Sequence, residues 1–138
     1  MGYKVTRTIN AAPERVWELL SDTSAWKDWN PTVISIDGTI AEGQKVKLVS
    51  TLNPKRAFNL SVTKVDAPRE MVWSDGMPLG LFKGERTYRL TPQGDGSTEF
   101  FMEELYTGLM APLITKSIPD MTESFVEFAD GLKAAAEA

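Results

Sequence analysis

Residues 110–136 read MAPLITKSIPDMTESFVEFADGLKAAA. Apolar side chains recur at Met110, Ile114, Ile118, Met121, Phe125, Phe128 and Leu132, in steps of four, four, three, four, three and four. That spacing traces one face of a helix and predicts a long helical stretch from about Ala111 to Ala136. Pro119 falls inside it and removes a backbone donor, so a kink is expected there. The chain before this stretch is strand-like except for a short helical region. One long helix after a run of antiparallel strands must lay its apolar stripe across the only sheet available. A sheet that curves around such a helix can leave a pocket between the two. A binding cavity is therefore the leading expectation.

Working back toward the N-terminus, Gly108 ends a strand over Thr98 to Thr107. The turn signal Gln93-Gly94-Asp95-Gly96 separates it from a strand over Leu81 to Leu90. Gly76-Met77-Pro78-Leu79-Gly80 reads as an entrance loop or lid; it lacks the Lys-Ser/Thr of a phosphate loop and precedes a strand. Further strands are expected over Glu70 to Asp75, Arg56 to Val65, Lys45 to Leu52 and Thr32 to Gly38. In Arg56 to Val65, Phe58, Leu60 and Val62 alternate with polar residues, the pattern of one buried face. Tyr3 to Asn10 supplies a first strand. Pro13 then opens a helix whose apolar face holds Val16, Trp17, Leu19 and Leu20. A second short turn carries Trp26 and Trp29, and Asn30-Pro31 ends it.

Composition excludes several classes of chemistry. The 138 residues suit a single domain spanning 1–138. Fifteen basic against nineteen acidic residues leave a net charge of −4. No basic run suggests a nucleic-acid footprint or a polybasic membrane anchor. Cysteine and histidine are both absent. This rules out a thiolate nucleophile, a Ser-His-Asp triad, histidine acid–base chemistry and a Cys/His metal site. No apolar run is long enough for a membrane span or signal peptide, which predicts a cytoplasmic protein without stable membrane insertion.

Four local phrases sharpen the fold. They are Ile9-Asn10-Ala11-Ala12-Pro13-Glu14-Arg15-Val16-Trp17-Glu18-Leu19-Leu20; Trp26-Lys27-Asp28-Trp29-Asn30-Pro31; Met71-Val72-Trp73 after Pro68-Arg69; and Gly96-Ser97-Thr98 leading to Glu104-Leu105-Tyr106-Thr107-Gly108-Leu109. In this element order they resemble the START-like, or SRPBCC, superfamily, which includes the birch-pollen allergen and polyketide cyclase/dehydrase-like proteins. The resemblance covers essentially the whole chain. It implies an α+β helix-grip fold: a curved antiparallel sheet of six to seven strands around a long C-terminal helix, with two short helices after the first strand. It says little about function, because members bind or process very different molecules.

The resemblance also suggests which face of the last strand turns inward: Phe100, Met102, Glu104 and Tyr106. On the preceding strand Phe82, Gly84, Arg86, Tyr88 and Leu90 share one side. Arg86 and Glu104 would then face one cavity from adjacent strands, able to read a polar group on an apolar ligand. They are also the candidate catalytic pair, with Glu104 as general base and Arg86 as oxyanion partner. The plain alternative is a cross-strand ion pair without chemical duty. Trp73 is mid-strand and a pocket candidate, whereas Trp17, Trp26 and Trp29 read as packing residues. The expected ligand-binding set is Trp73, Phe82, Arg86, Tyr88, Phe100, Met102, Glu104 and Tyr106 from the sheet. Met110, Ile114, Ile118 and Met121 face it from the helix, while Phe125, Phe128 and Leu132 seal the core beyond.

Three functions fit these residues. The first is a carrier or sensor of a small hydrophobic ligand such as a lipid, isoprenoid or aromatic metabolite. The second is a cofactor-free cyclase, dehydratase or hydrolase using Glu104, Arg86 and Tyr106. The third is a partner-protein activator of the heat-shock ATPase activator type, known in this superfamily. Without histidine, cysteine or a second acid–base group beside Glu104, binding is favoured over catalysis. No cofactor or metal is called for, no nucleic-acid partner is expected, and a homodimer is left open.

Overall fold

The computed structural model describes residues 2–138. Strand β1 (Gly2–Ile9) leads into helix α1 (Pro13–Ser21), a 3-10 turn and helix α2 (Trp26–Trp29). Strands β2 (Val33–Asp37), β3 (Lys45–Ser50), β4 (Phe58–Asp66), β5 (Glu70–Met77), β6 (Phe82–Pro92) and β7 (Thr98–Thr107) follow. The chain ends with the single turn α3 (Ala111–Ile114), a 3-10 turn over Thr115–Ser117, and α4 (Thr122–Glu137). All seven strands form one antiparallel sheet in the order β1-β7-β6-β5-β4-β3-β2. The meander runs outward from β7 to β2, and β1 closes the opposite edge beside β7. This is the α+β helix-grip architecture, with α4 against the sheet.

Local chemistry sets the register. In the β6–β7 turn the Asp95 carboxylate accepts from the Ser97 backbone N–H at 3.0 Å. Gly94 and Gly96 there take positive φ of 82° and 90°, a region open to glycine. The turn brings Tyr88 opposite Met102 and Arg86 opposite Glu104. Between β5 and β6, pairing runs through Gly76 and Met77, which face Lys83 and Phe82. The expected loop over Gly76–Gly80 is therefore reduced to the tight turn Pro78–Gly80, with Leu79 in the left-handed region at φ 62°.

The C-terminal stretch is not one helix. Ile118, which precedes Pro119, is extended at φ −81° and ψ 128°, as steric conflict with the proline ring requires. The Asp120 carboxylate then accepts from the Thr122 backbone N–H at 2.9 Å and starts α4 afresh. The expected continuous helix from Ala111 to Ala136 is thus two pieces. Met110, Ile114 and Ile118 lie outside the long helix, and Met121 is its N-cap residue.

Helix α4 buries Phe125, Phe128, Ala129, Leu132 and Ala136. Along β1 its polar edge is tied by Arg7 Nε to Asp130 Oδ1 (2.9 Å), by Lys133 Nζ to the Thr8 carbonyl (2.7 Å), and by the Asn10 N–H to Glu137 Oε2 (2.8 Å). Toward α2 the approach is closer. A Cβ on Gly131 would lie 2.2 Å from the Trp29 carbonyl oxygen. Glycine to alanine inside a helix normally stabilises by roughly 0.5–1 kcal/mol. Here the sign should reverse: Gly131→Ala is expected to destabilise by about 1–3 kcal/mol through overpacking against backbone. Urea unfolding checks this, and a gain in stability would contradict the close packing of α2 on α4.

Candidate ligand-binding site

The middle of the sheet–helix interface is filled by aromatic rings. Trp26 from α2 stacks on Trp73 from β5 with centroids 5.4 Å apart and planes 13° from parallel. Tyr88 meets Trp73 edge-on at 5.1 Å, and Phe128 stacks on Phe100 at 6.0 Å. Trp73, Tyr88, Phe100 and Met102 are all 2% exposed or less. The Trp26 indole donates to the Leu20 carbonyl at 3.0 Å. By contrast, the buried Nε1 of Trp73 has no acceptor among the described residues. Trp73, singled out from sequence as a pocket residue, is thus covered by Trp26.

One step along the same face the interior becomes polar. Arg86 on β6 pairs in register with Glu104 on β7 and with Trp73 on β5. Its Nε donates to Glu104 Oε1 at 2.9 Å, with both side chains about one fifth exposed (20% and 17%). The Tyr106 hydroxyl makes a short hydrogen bond to the other oxygen, Glu104 Oε2. That hydroxyl also lies 3.3 Å from Met121 Sδ. Phe125 sits under the guanidinium, with its ring centroid 4.8 Å from Arg86 Cζ. A Cβ at Gly84 would meet the Tyr106 ring at 3.6 Å, an ordinary van der Waals contact. Phe82 stacks on Tyr106 at 6.0 Å, and Tyr3 meets it edge-on at 6.4 Å.

The electrostatics follow from this packing. Burial by itself would lower the Arg86 pKa, but the Glu104 carboxylate and the Tyr88 phenol together outweigh it and hold the guanidinium above its ordinary value. Burial, reinforced by the Glu104 charge, raises the Tyr106 phenol far above the usual tyrosine range. Burial pushes the Tyr88 phenol up to about 12, against the opposing charge of its neighbour Arg86. Both phenols are therefore neutral at physiological pH. Each Glu104 oxygen is already engaged, one by Arg86 and one by Tyr106. The arrangement can bind and orient a polar group. Among the described residues no group of three acidic side chains could hold a metal ion.

Next to this triad an open cleft of about 700 Å³ is lined by Tyr106, Thr107, Gly108, Ala111, Pro112, Thr115 and Lys116. Met110, Ile114, Ile118 and Met121, which the sequence places on the pocket wall, are half-buried but do not line this cleft. On its outer rim Leu79, Leu109 and Leu113 are 94%, 87% and 63% exposed. The two rim segments are joined by the Met110 N–H donating to the Leu81 carbonyl at 2.8 Å. Of the residues expected to line a pocket, the structure thus gathers Phe82, Arg86, Glu104, Tyr106 and Met121 into one cluster. It commits Trp73, Tyr88, Phe100 and Met102 to the filled interior beside it. Sequence reasoning missed Tyr3 and Phe125 as members of the cluster. Tyr3 stands opposite Glu104 in the β1–β7 register, which only the long-range pairing reveals.

Comparison with known proteins follows this geometry. A family model described as "Polyketide cyclase / dehydrase and lipid transport" matches residues 3–137. No curated protein sequence gives a significant match. A hypothetical protein from Helicobacter pylori superposes with a TM-score of 0.76 at 12% identity, covering 99% of this chain and 88% of that one. A norcoclaurine synthase point mutant from Thalictrum flavum, solved with a transition-state analogue, gives 0.73 at 13% identity over 99% and 93% of the two chains. The Aha1 dimer from Colwellia psychrerythraea gives 0.74 at 18% identity over 99% and 96%. At these identities the likeness concerns the fold.

Proposed function

The chain belongs to the polyketide cyclase/dehydrase and lipid transport family, within the START-like superfamily, and from that premise we propose that it binds a small hydrophobic molecule. The family supports a ligand-binding domain; lipids, isoprenoids and aromatic metabolites are the candidate classes. The observation that carries the reading is the Arg86–Glu104–Tyr106 triad, set among Phe82, Phe125 and Met121 beside an open cleft. Apolar walls with a few convergent polar groups are the usual makeup of a small-molecule site. Ala111 and Pro112 supply apolar lining of the cleft, and the half-buried Met110, Ile114 and Ile118 are proposed as its further apolar neighbours.

Catalysis is the second reading. Its support is the same triad, together with the norcoclaurine synthase likeness. Against it stands the lack of histidine and cysteine in the chain, which leaves Glu104 without a second acid–base group suited to neutral pH. A partner-protein activator, with the Aha1 dimer as its structural likeness, and a homodimer rest on fold alone.

Native mass spectrometry of freshly purified protein is expected to show a bound small molecule alongside the bare chain. Hydrophobic compounds should change tryptophan fluorescence. A true ligand at 100-fold its Kd should stabilise the fold by about 2.7 kcal/mol, read as a rise in Tm. A bare chain whose fluorescence and Tm ignore every hydrophobic compound tried would remove the basis for the binding reading.

A further inference from the structure

We infer that the polar group this site reads is an uncharged acceptor, the oxygen of a ketone, aldehyde, ester or amide, in preference to a carboxylate. This rests on the reading of the interior as a ligand site and narrows the class of molecule it takes.

Donors and acceptors in the cluster do not balance. Arg86 carries five N–H donors, and its one hydrogen bond among the described residues is from Nε to Glu104. Trp73, directly opposite on β5, is sealed under Trp26 and offers no donor to a ligand. Each oxygen of Glu104 already accepts one hydrogen bond. The Tyr88 phenol beside Arg86 can satisfy part of the guanidinium, and the remaining N–H groups belong to a side chain 20% exposed. Those partly exposed donors are open to a ligand, and a ligand oxygen is a partner of the right kind.

Charge decides which oxygen. Arg86 and Glu104 cancel, and the phenols of Tyr88 and Tyr106 are uncharged. Phe82, Phe125, Met121 and Tyr3 complete the surroundings without adding charge. A ligand carboxylate would feel the attraction of Arg86 and the repulsion of Glu104 at similar range. It would gain little to offset its loss of hydration. A carbonyl oxygen accepts from the same donors without that conflict.

The test uses three probes of one shape: naphthalene, 2-naphthoate and 2-acetonaphthone, titrated calorimetrically at neutral pH. The ketone is expected to bind about tenfold tighter than either of the others. In Glu104→Gln the cluster becomes cationic, and the order should invert, with 2-naphthoate gaining tenfold or more. If wild-type protein binds 2-naphthoate as tightly as the ketone, or the ketone no better than naphthalene, the inference is overturned while ligand binding itself stands. If none of the three binds, the ligand-site reading falls with it. The wild-type comparison decides the matter even where a variant fails to fold.

Discussion

Phe128→Ala is expected to destabilise the protein by about 3–5 kcal/mol, the largest single effect predicted for a side chain of α4. The ring is 2% exposed and touches four others. Trp29 and Trp26 meet it edge-on at 5.1 and 5.4 Å, and Tyr88 and Phe100 lie at 5.9 and 6.0 Å. These belong to α2, β6 and β7, so one side chain joins the helix to three other elements. Its neighbours are rigid rings locked against each other, and collapse into the vacated space is limited. Unfolding in urea should show a lower midpoint with an unchanged slope. A loss below about 1.5 kcal/mol would mean that the aromatic interior is far looser than the ring geometry indicates. Since small domains are stable by about 5–15 kcal/mol in total, the variant should sit close to unfolding.

The second large effect is expected at the ion pair. Glu104→Leu leaves the Arg86 guanidinium four-fifths covered and facing an apolar neighbour, and it strips Tyr106 of its acceptor. Removing one partner of a buried pair typically costs 3–5 kcal/mol. The partial exposure here places the expectation near the lower end, about 3 kcal/mol. Replacing both charges, as Arg86→Met with Glu104→Leu, should recover most of the loss, because an apolar pair carries no desolvation burden. The double-mutant cycle measures the coupling directly. If Glu104→Leu costs under about 0.5 kcal/mol, the pair behaves as a solvated surface bridge and cannot organise a binding site.

How far the sequence disclosed this arrangement depended on the range of each interaction. Strand periodicity is local, so the shared face of Phe100, Met102, Glu104 and Tyr106 was legible. The Gln93–Gly96 turn fixed the neighbouring register, which brought Arg86 opposite Glu104. The continuous C-terminal helix was a misreading because apolar spacing happens to persist across Pro119. The proline rule that stops α2 at Asn30 applies equally to Ile118, and there it outweighs the periodicity. Trp26 is a different case. Its place over Trp73 depends on how α2 docks on the sheet, and no spacing along the chain encodes that. Phe125 was assigned to a seal beyond the site for the same reason. Its position under Arg86 follows from where the broken helix restarts.

The pairing of β1 with β7, and the ties from Thr8 and Asn10 to the end of α4, also govern how the molecule comes to be folded. The first strand made waits for the last elements before it has a partner. Until then the meander carries β6 as an open edge and an uncovered apolar face, a state prone to pairing with another chain. Such distant closures slow folding, because much of the chain must be ordered before they form. Shortening the C-terminal helix would therefore leave the β1–β7 edge untied and the apolar face uncovered, and the outcome would be aggregation during synthesis rather than a smaller stable domain.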